Sequence, residues 1–75
     1  MTQEAEKEVV LKAVQAAIQV RRDGHRYPEC VTIEEVGAII PDVSRSSIIR
    51  NVKILADEDE LLVRPAINYV TVYLR

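Results

Sequence analysis

Residues 32–64 of this chain read TIEEVGAIIPDVSRSSIIRNVKILADEDELLVR, and this stretch decides the fold. Thr32 and Glu35 have the Thr-x-x-Glu spacing of a capping box, in which two side chains satisfy backbone donors at the start of a helix. Pro41 disfavours helical geometry in the residue before it. The pattern therefore predicts a short helix over about 33–40 that ends at a turn.

A second helix is predicted directly after that turn. Ser44 is a preferred N-cap residue, and the residues after it have helical periodicity over about 45–57. At 100° per residue the aliphatic side chains share one arc, which must face the core, and the polar and basic side chains share the other. The core arc holds Ile48, Ile49, Val52, Leu55 and Ala56, and the outer arc holds Ser46, Ser47, Arg50, Lys53, Ile54 and Asp57.

The chain after the acidic run predicts a β-hairpin over about 61–74. Residues 61–64 form one apolar strand, residues 65–68 form a turn, and residues 69–74 form a strand of alternating character. Val70, Val72 and Leu74 of the second strand share one face, which is expected to pack under the helices. A terminal strand with so little charge is prone to associate if its edge stays open.

The first helix is expected over about 3–22, with Gly24 placed to end it. It has two apolar stripes, so it has two surfaces to pack against. One stripe, Val10, Leu11, Val14 and Ile18, is expected to face its own domain. The other stripe is predicted to be a homodimer interface, formed by Val9, Ala13, Ala16 and Val20. The alternative is that both stripes face a single core.

With a short strand before the second helix, at about residues 30–32, the fold class is α+β and mostly α. A length of 75 residues leaves room for one domain over 1–75. No apolar run is long enough to span a membrane. Cys30 is the one cysteine and cannot form an internal disulfide, which favours a reducing, cytoplasmic location.

The formal net charge of −2 counts mildly against a nucleic-acid partner, because non-specific binding to DNA depends on basic surface. The charges are segregated along the chain, however. Acids gather at residues 4–8 and 57–60, and bases gather at residues 21–26 and 45–53. A domain with segregated charges can still present one basic face.

These features together resemble the winged helix-turn-helix superfamily, in the manner of small MarR-like or BlaI-like regulators and of archaeal or phage repressors. The resemblance covers the chain from its first helix to its end, and residues 32–64 carry its specific part. It differs from the family in having Glu60 where a glycine commonly precedes the first wing strand, and in having a short wing.

The resemblance implies a sequence-specific, double-stranded DNA-binding transcriptional regulator, acting as a homodimer and as a repressor. On matching positions the DNA-contacting residues are Arg45, Ser46, Ser47, Arg50 and Lys53, with wing contacts from Arg64 and Asn68. Two alternatives stay open. One is a winged-helix adaptor that binds proteins, and the other is a plasmid or viral partition or replication-origin binding protein.

Catalysis, a cofactor, a metal and a small-molecule ligand are not expected. The chain has one histidine, one cysteine and no glycine-rich phosphate loop, so it cannot assemble the usual catalytic groups. His25 and Cys30 are potential metal ligands, but a structural zinc site needs four. Cys30 is interpreted as a small buried hydrophobic residue, with redox sensing as the alternative.

Overall fold

The computed structural model describes residues 2–75 and contains three helices and three strands. Their order is α1 (Gln3–Asp23), β1 (Cys30–Thr32), α2 (Ile33–Ile39), α3 (Arg45–Asp57), β2 (Leu61–Pro65) and β3 (Val70–Leu74). The fold is α+β and mostly helical, with a short strand before α2 and a C-terminal antiparallel hairpin, as predicted. This topology is compatible with a winged helix-turn-helix.

Each helix begins at a hydroxyl side chain that caps it. Thr2 accepts from the backbone N–H of Ala5 at 3.1 Å, and Ser44 accepts from that of Ser47 at 3.3 Å. The capping box predicted at Thr32 is present in both directions, because Glu35 also accepts from the backbone N–H of Thr32. These bonds satisfy donors that a helix leaves unpaired in its first turn.

Two helices end in a left-handed residue that is not glycine. At the end of α1 the left-handed residue is His25, with φ 53°, while Gly24 has φ −88°. At the end of α3 it is Asp59, with φ 61°, and the N–H of Glu60 donates to the carbonyl of Leu55 at 2.9 Å. Aspartate tolerates this region better than most residues. The chain therefore makes the turn before the wing with Asp59 and needs no glycine at Glu60.

The three strands form one antiparallel sheet in the order β1-β3-β2. Val72 of the central strand pairs with Val31 on one side and with Val63 on the other. Because β1 and β2 flank β3, the C-terminal strand has no open edge. The condition under which β3 was expected to associate, an open edge, is therefore not met.

The core lies between the inner face of the sheet and the three helices. Val10, Val14, Val36, Ile48 and Val72 are fully buried at its centre. The predicted core arc of α3 is confirmed for Ile48, Val52 and Leu55. Ile39 of α2 is 47% exposed, because it lies beside α1 at the rim of the core. No helix within residues 2–75 is long and apolar enough to cross a membrane.

Candidate functional site

The outer face of α3 consists of Ser46, Arg50, Lys53 and Asp57, all of which are exposed. The opposite side of the helix is anchored by Ile48 and Leu55, which are at most 1% exposed. Strand β2 packs against α3, and Lys53 lines a hollow with Val63 and Val70 of the hairpin while remaining exposed. The helix thus presents two cations and a hydroxyl to solvent, as the helical pattern predicts. Ile54, predicted on the same arc, is half-buried beside it.

Arg50 is not a free cation, because it is paired with an acid from α1. Its Nη2 donates to Glu6 Oε1 at 3.2 Å, and the same oxygen accepts from Asn51 Nδ2 at 2.7 Å. The Arg50 side chain is still 58% exposed, whereas that of Glu6 is 19% exposed. The N-terminal turn of α1 therefore lies against α3, next to the residue expected to contact DNA bases.

Asn51 is the one buried polar residue among residues 2–75, with no exposed surface. Its side-chain oxygen accepts from Gln3 Nε2 at 2.7 Å, and its nitrogen donates to the carbonyl of Ser47 at 2.8 Å as well as to Glu6. Both amide hydrogens and the oxygen have partners, so the group is satisfied. We call this set, Gln3, Glu6, Ser47 and Asn51, the amide clamp.

The amide clamp is not predicted by the sequence pattern. An asparagine beside the core arc of an amphipathic helix was a signal that α3 holds a buried polar contact. The partners of Asn51 could not be found in the same way, because Gln3 and Glu6 lie more than forty residues earlier in the chain. Their acidic and polar segment was counted only as a charge cluster.

Arg45 is also paired with an acid, here from α2. Its Nη2 donates to Glu34 Oε1 at 3.2 Å, and both side chains are more than half exposed. The pKa of the Glu34 carboxyl lies below its ordinary value, first because it accepts from its own backbone N–H and next because of Arg45. An exposed pair of this kind is weak and is screened by salt, so Arg45 can exchange its partner for a phosphate.

The two predicted serine contacts differ in availability. Ser47 is half-buried, and its hydroxyl accepts from the Ser44 hydroxyl at 3.0 Å inside the helix cap. Ser46 is exposed, and its hydroxyl lies 3.4 Å from that of Ser44. Ser46 can therefore contact another molecule directly, whereas Ser47 mainly holds the first turn of α3 in place.

Arg64 projects from the outer face of the sheet, the face turned away from the core. Side chains alternate along a strand, so the inward position of Val63 sends Arg64 to the outer face of the sheet. There its guanidinium lies 5.9 Å from the ring centroid of Tyr73 and lines a hollow of about 430 Å³ with Arg21. Asn68 is exposed in the hairpin turn next to Ile67, which is 99% exposed.

The predicted dimer residues lie along a groove between α1 and α2. Val9, Ala13 and Ala16 line one part of it, opposite Ile39 of α2 and the C-cap residue Ile40. Val20 lines its continuation, next to Ala17 and Ala38, and is 65% exposed. Ala13 belongs to the core itself, since it is only 4% exposed. We call this surface, Val9, Ala16, Val20, Ala38 and Ile39, the apolar groove.

Acidic side chains border the outer face of α3 at its C-terminal end. Lys7 donates to both carboxylate oxygens of Glu58 at 3.0 Å and lies 3.4 Å from Glu4. The pKa of the Lys7 ammonium is raised, mainly by its hydrogen bond to Glu58. The basic part of this face therefore runs from Arg45 to Lys53 and ends before Asp57.

The remaining candidates for chemistry among the described residues are potential metal ligands and the cysteine. No group of three or more metal-ligating side chains occurs among residues 2–75. Cys30 is buried at 6% exposure, which confirms its interpretation as a small core-like residue.

Comparisons with protein-family models, with curated proteins and with solved structures found no match to this chain. The winged-helix shape therefore rests on the order, lengths and pairing of the elements described above.

Proposed function

We propose that this chain is a winged helix-turn-helix protein that binds double-stranded DNA sequence-specifically and regulates transcription, as a repressor that occludes its site. The observation that carries the proposal is the open outer face of α3, where Arg50, Lys53 and Ser46 project from a helix anchored by aliphatic residues. The second helix of such a unit fits the major groove of DNA.

The residues of α3 have different roles in this proposal. Arg50 and Ser46 contact base edges, because they lie at the centre of the outer face, and arginine recognises guanine by a pair of hydrogen bonds. Arg45 and Lys53 flank them and contact phosphates. Ser47 positions the first turn of the helix. Arg64 is left out of the interface because of its place on the far side of the sheet, and Asn68 is kept as a contact of the wing tip.

The salt dependence of DNA affinity tests the proposal. Arg45 and Lys53, which neutralise two phosphates, give a slope of log K against log salt of roughly −2 for each protomer. Fluorescence anisotropy with a labelled random-sequence duplex, between 50 mM and 200 mM salt, measures this slope. The same duplex under the same conditions with heat-unfolded protein is the control.

A protein-binding adaptor is the second candidate function, and the exposed apolar groove favours it. An adaptor that uses this groove gives no measurable DNA affinity at low salt, and hence no slope. A partition or replication-origin protein would share the DNA-binding surface and the slope with a regulator. It differs only in the site that it binds.

We also propose that the protein is a homodimer joined through the apolar groove. A 75-residue chain buries a limited core, so association is a natural source of further stability. Val20 and Ile39 are large aliphatic side chains that lie exposed on neighbouring helices. In a two-fold dimer the same patch meets itself, so the aliphatic side chains of one copy pack on those of the other. The charged side chains that line the same hollows are Lys12, Arg21, Arg26 and Glu35.

Ala16→Glu is expected to convert this dimer to monomers. Ala16 is exposed on α1 and lines the groove, so a glutamate there is tolerated by the monomer but places two carboxylates in a two-fold interface. Sedimentation velocity measures the change. Gln15→Glu, at an exposed neighbouring position, is the matched control and is expected to leave the sedimentation coefficient unchanged. A dimer that persists in Ala16→Glu would rule out this interface.

A further inference from the structure

We propose that Glu6 is a specificity-determining residue, although it lies on α1 and not on the helix that faces DNA. Its carboxylate holds the Arg50 guanidinium where it can donate to base edges. The same carboxylate disfavours a contact between that guanidinium and a phosphate. The inference rests on the proposed function and deepens it, because it names guanine as the base class that the site selects.

The carboxylate of Glu6 is held in place by the amide clamp. Its Oε1 accepts from Asn51 Nδ2 at 2.7 Å, and the Asn51 side chain is fully buried and held in turn by Gln3 and Ser47. Glu6 itself is only 19% exposed. A carboxylate fixed by a buried amide cannot move away when a negatively charged molecule approaches.

Arg50 is tethered to this carboxylate but keeps most of its donors. A guanidinium has five N–H donors, and the contact with Glu6 at 3.2 Å uses one of them. Guanine O6 and N7 need two donors and carry no net charge, so Arg50 can bind guanine and remain on Glu6. Glu6 then holds the arginine in the position that a base contact requires.

A phosphate differs from guanine because its negative charge is repelled by the Glu6 carboxylate. To bind one, Arg50 must bring a negative group next to the fixed carboxylate of Glu6, or leave that carboxylate without its cation. Two unit charges 4 Å apart repel in water by the equivalent of about a fivefold change in affinity, and by more near a protein surface. Glu6 therefore weakens contacts between Arg50 and phosphates, the kind of contact that dominates binding to random sequences. It does not weaken the contact between Arg50 and guanine.

Glu6→Gln tests this inference with little change to the fold. Glutamine keeps an oxygen that can accept from Asn51, so the amide clamp survives while the negative charge is removed. The affinity for a random-sequence duplex is expected to rise about 3- to 10-fold, since a repulsion of about this size is removed. Its salt slope is expected to steepen by about 0.9, the value of one added phosphate contact.

The affinity for a duplex selected from a random pool is expected to change less than about twofold, because the guanine contact is retained. Preference for the selected site thus falls about as much as random-sequence affinity rises. Glu8→Gln is the matched control. It removes the same charge from α1, and with it an exposed ion pair with Lys12 at 3.9 Å that lies away from Arg50.

The outcomes separate the inference from the proposed function. If wild-type protein shows no salt-dependent affinity for either duplex, the proposed function is wrong. If wild-type protein binds DNA but Glu6→Gln behaves like Glu8→Gln, the function stands and the role of Glu6 is wrong. A rise in affinity for both duplexes by the same factor would also overturn it, because only net charge would then matter.

Discussion

Asn51→Leu is expected to lower the free energy of unfolding by about 2 to 4 kcal/mol, the largest effect of any single change outside the aliphatic core. Leucine has a similar volume but cannot replace the hydrogen bonds to Gln3, Glu6 and the Ser47 carbonyl. The Glu6 carboxylate, which is mostly buried, then loses its amide donor. Unfolding in urea, followed by circular dichroism, measures the change.

For a domain of this size the loss corresponds to a fall in melting temperature of several degrees for each kcal/mol. Ser46→Ala is the control on the same helix, and it is expected to shift stability by less than about 0.5 kcal/mol because its side chain is exposed. A change below about 1 kcal/mol for Asn51→Leu would show that the amide clamp does not join α1 to α3 in solution.

The elements of this fold follow closely from local signals in the sequence. The capping box at Thr32, the proline at 41 and the serine at 44 each act within one turn of the chain, so their effect is visible in the sequence itself. The same holds for the alternation in β3, whose inward residue Val72 is fully buried. Local chemistry and the final fold agree in these places.

The contacts that the sequence did not reveal are those between distant segments. The position of β3 between β1 and β2 depends on how the chain returns past α2, and alternation in one strand does not encode its neighbours. The pairing of Glu6 with Arg50 spans 44 residues. Helical periodicity places each residue correctly on its own helix but does not say which residue of another helix it meets.

The terminations of the helices show a smaller limit of the same kind. Gly24 is the C-cap residue of α1, as predicted, but the left-handed conformation falls on the next residue, His25. At the end of α3 Asp59 takes this conformation, although Glu60 stands where a glycine was expected. In each case the left-handed residue directly precedes a residue whose backbone N–H donates back to the helix. Arg26 donates to the carbonyl of Arg21, and Glu60 donates to the carbonyl of Leu55.

Arg50→Ala is expected to reduce the preference for the selected DNA site by about 1 to 3 kcal/mol, or about 5- to 150-fold, the value of one bidentate contact with guanine. The side chain is 58% exposed, and Glu6 stays bonded to Asn51 after the change, so the fold should be retained. Arg22→Ala is the control. It removes one cation from an exposed position in the last turn of α1, at the opposite end of that helix from Glu6, and with it an ion pair with Glu29.

The most direct test of a DNA-binding α3 is the ratio of affinities for the selected and the random duplex, measured at one salt concentration for these three proteins. We predict a ratio that falls at least fivefold in Arg50→Ala and stays within about twofold of wild type in Arg22→Ala. An Arg50→Ala protein that keeps the full wild-type ratio would contradict the assignment of this face as the DNA-reading surface.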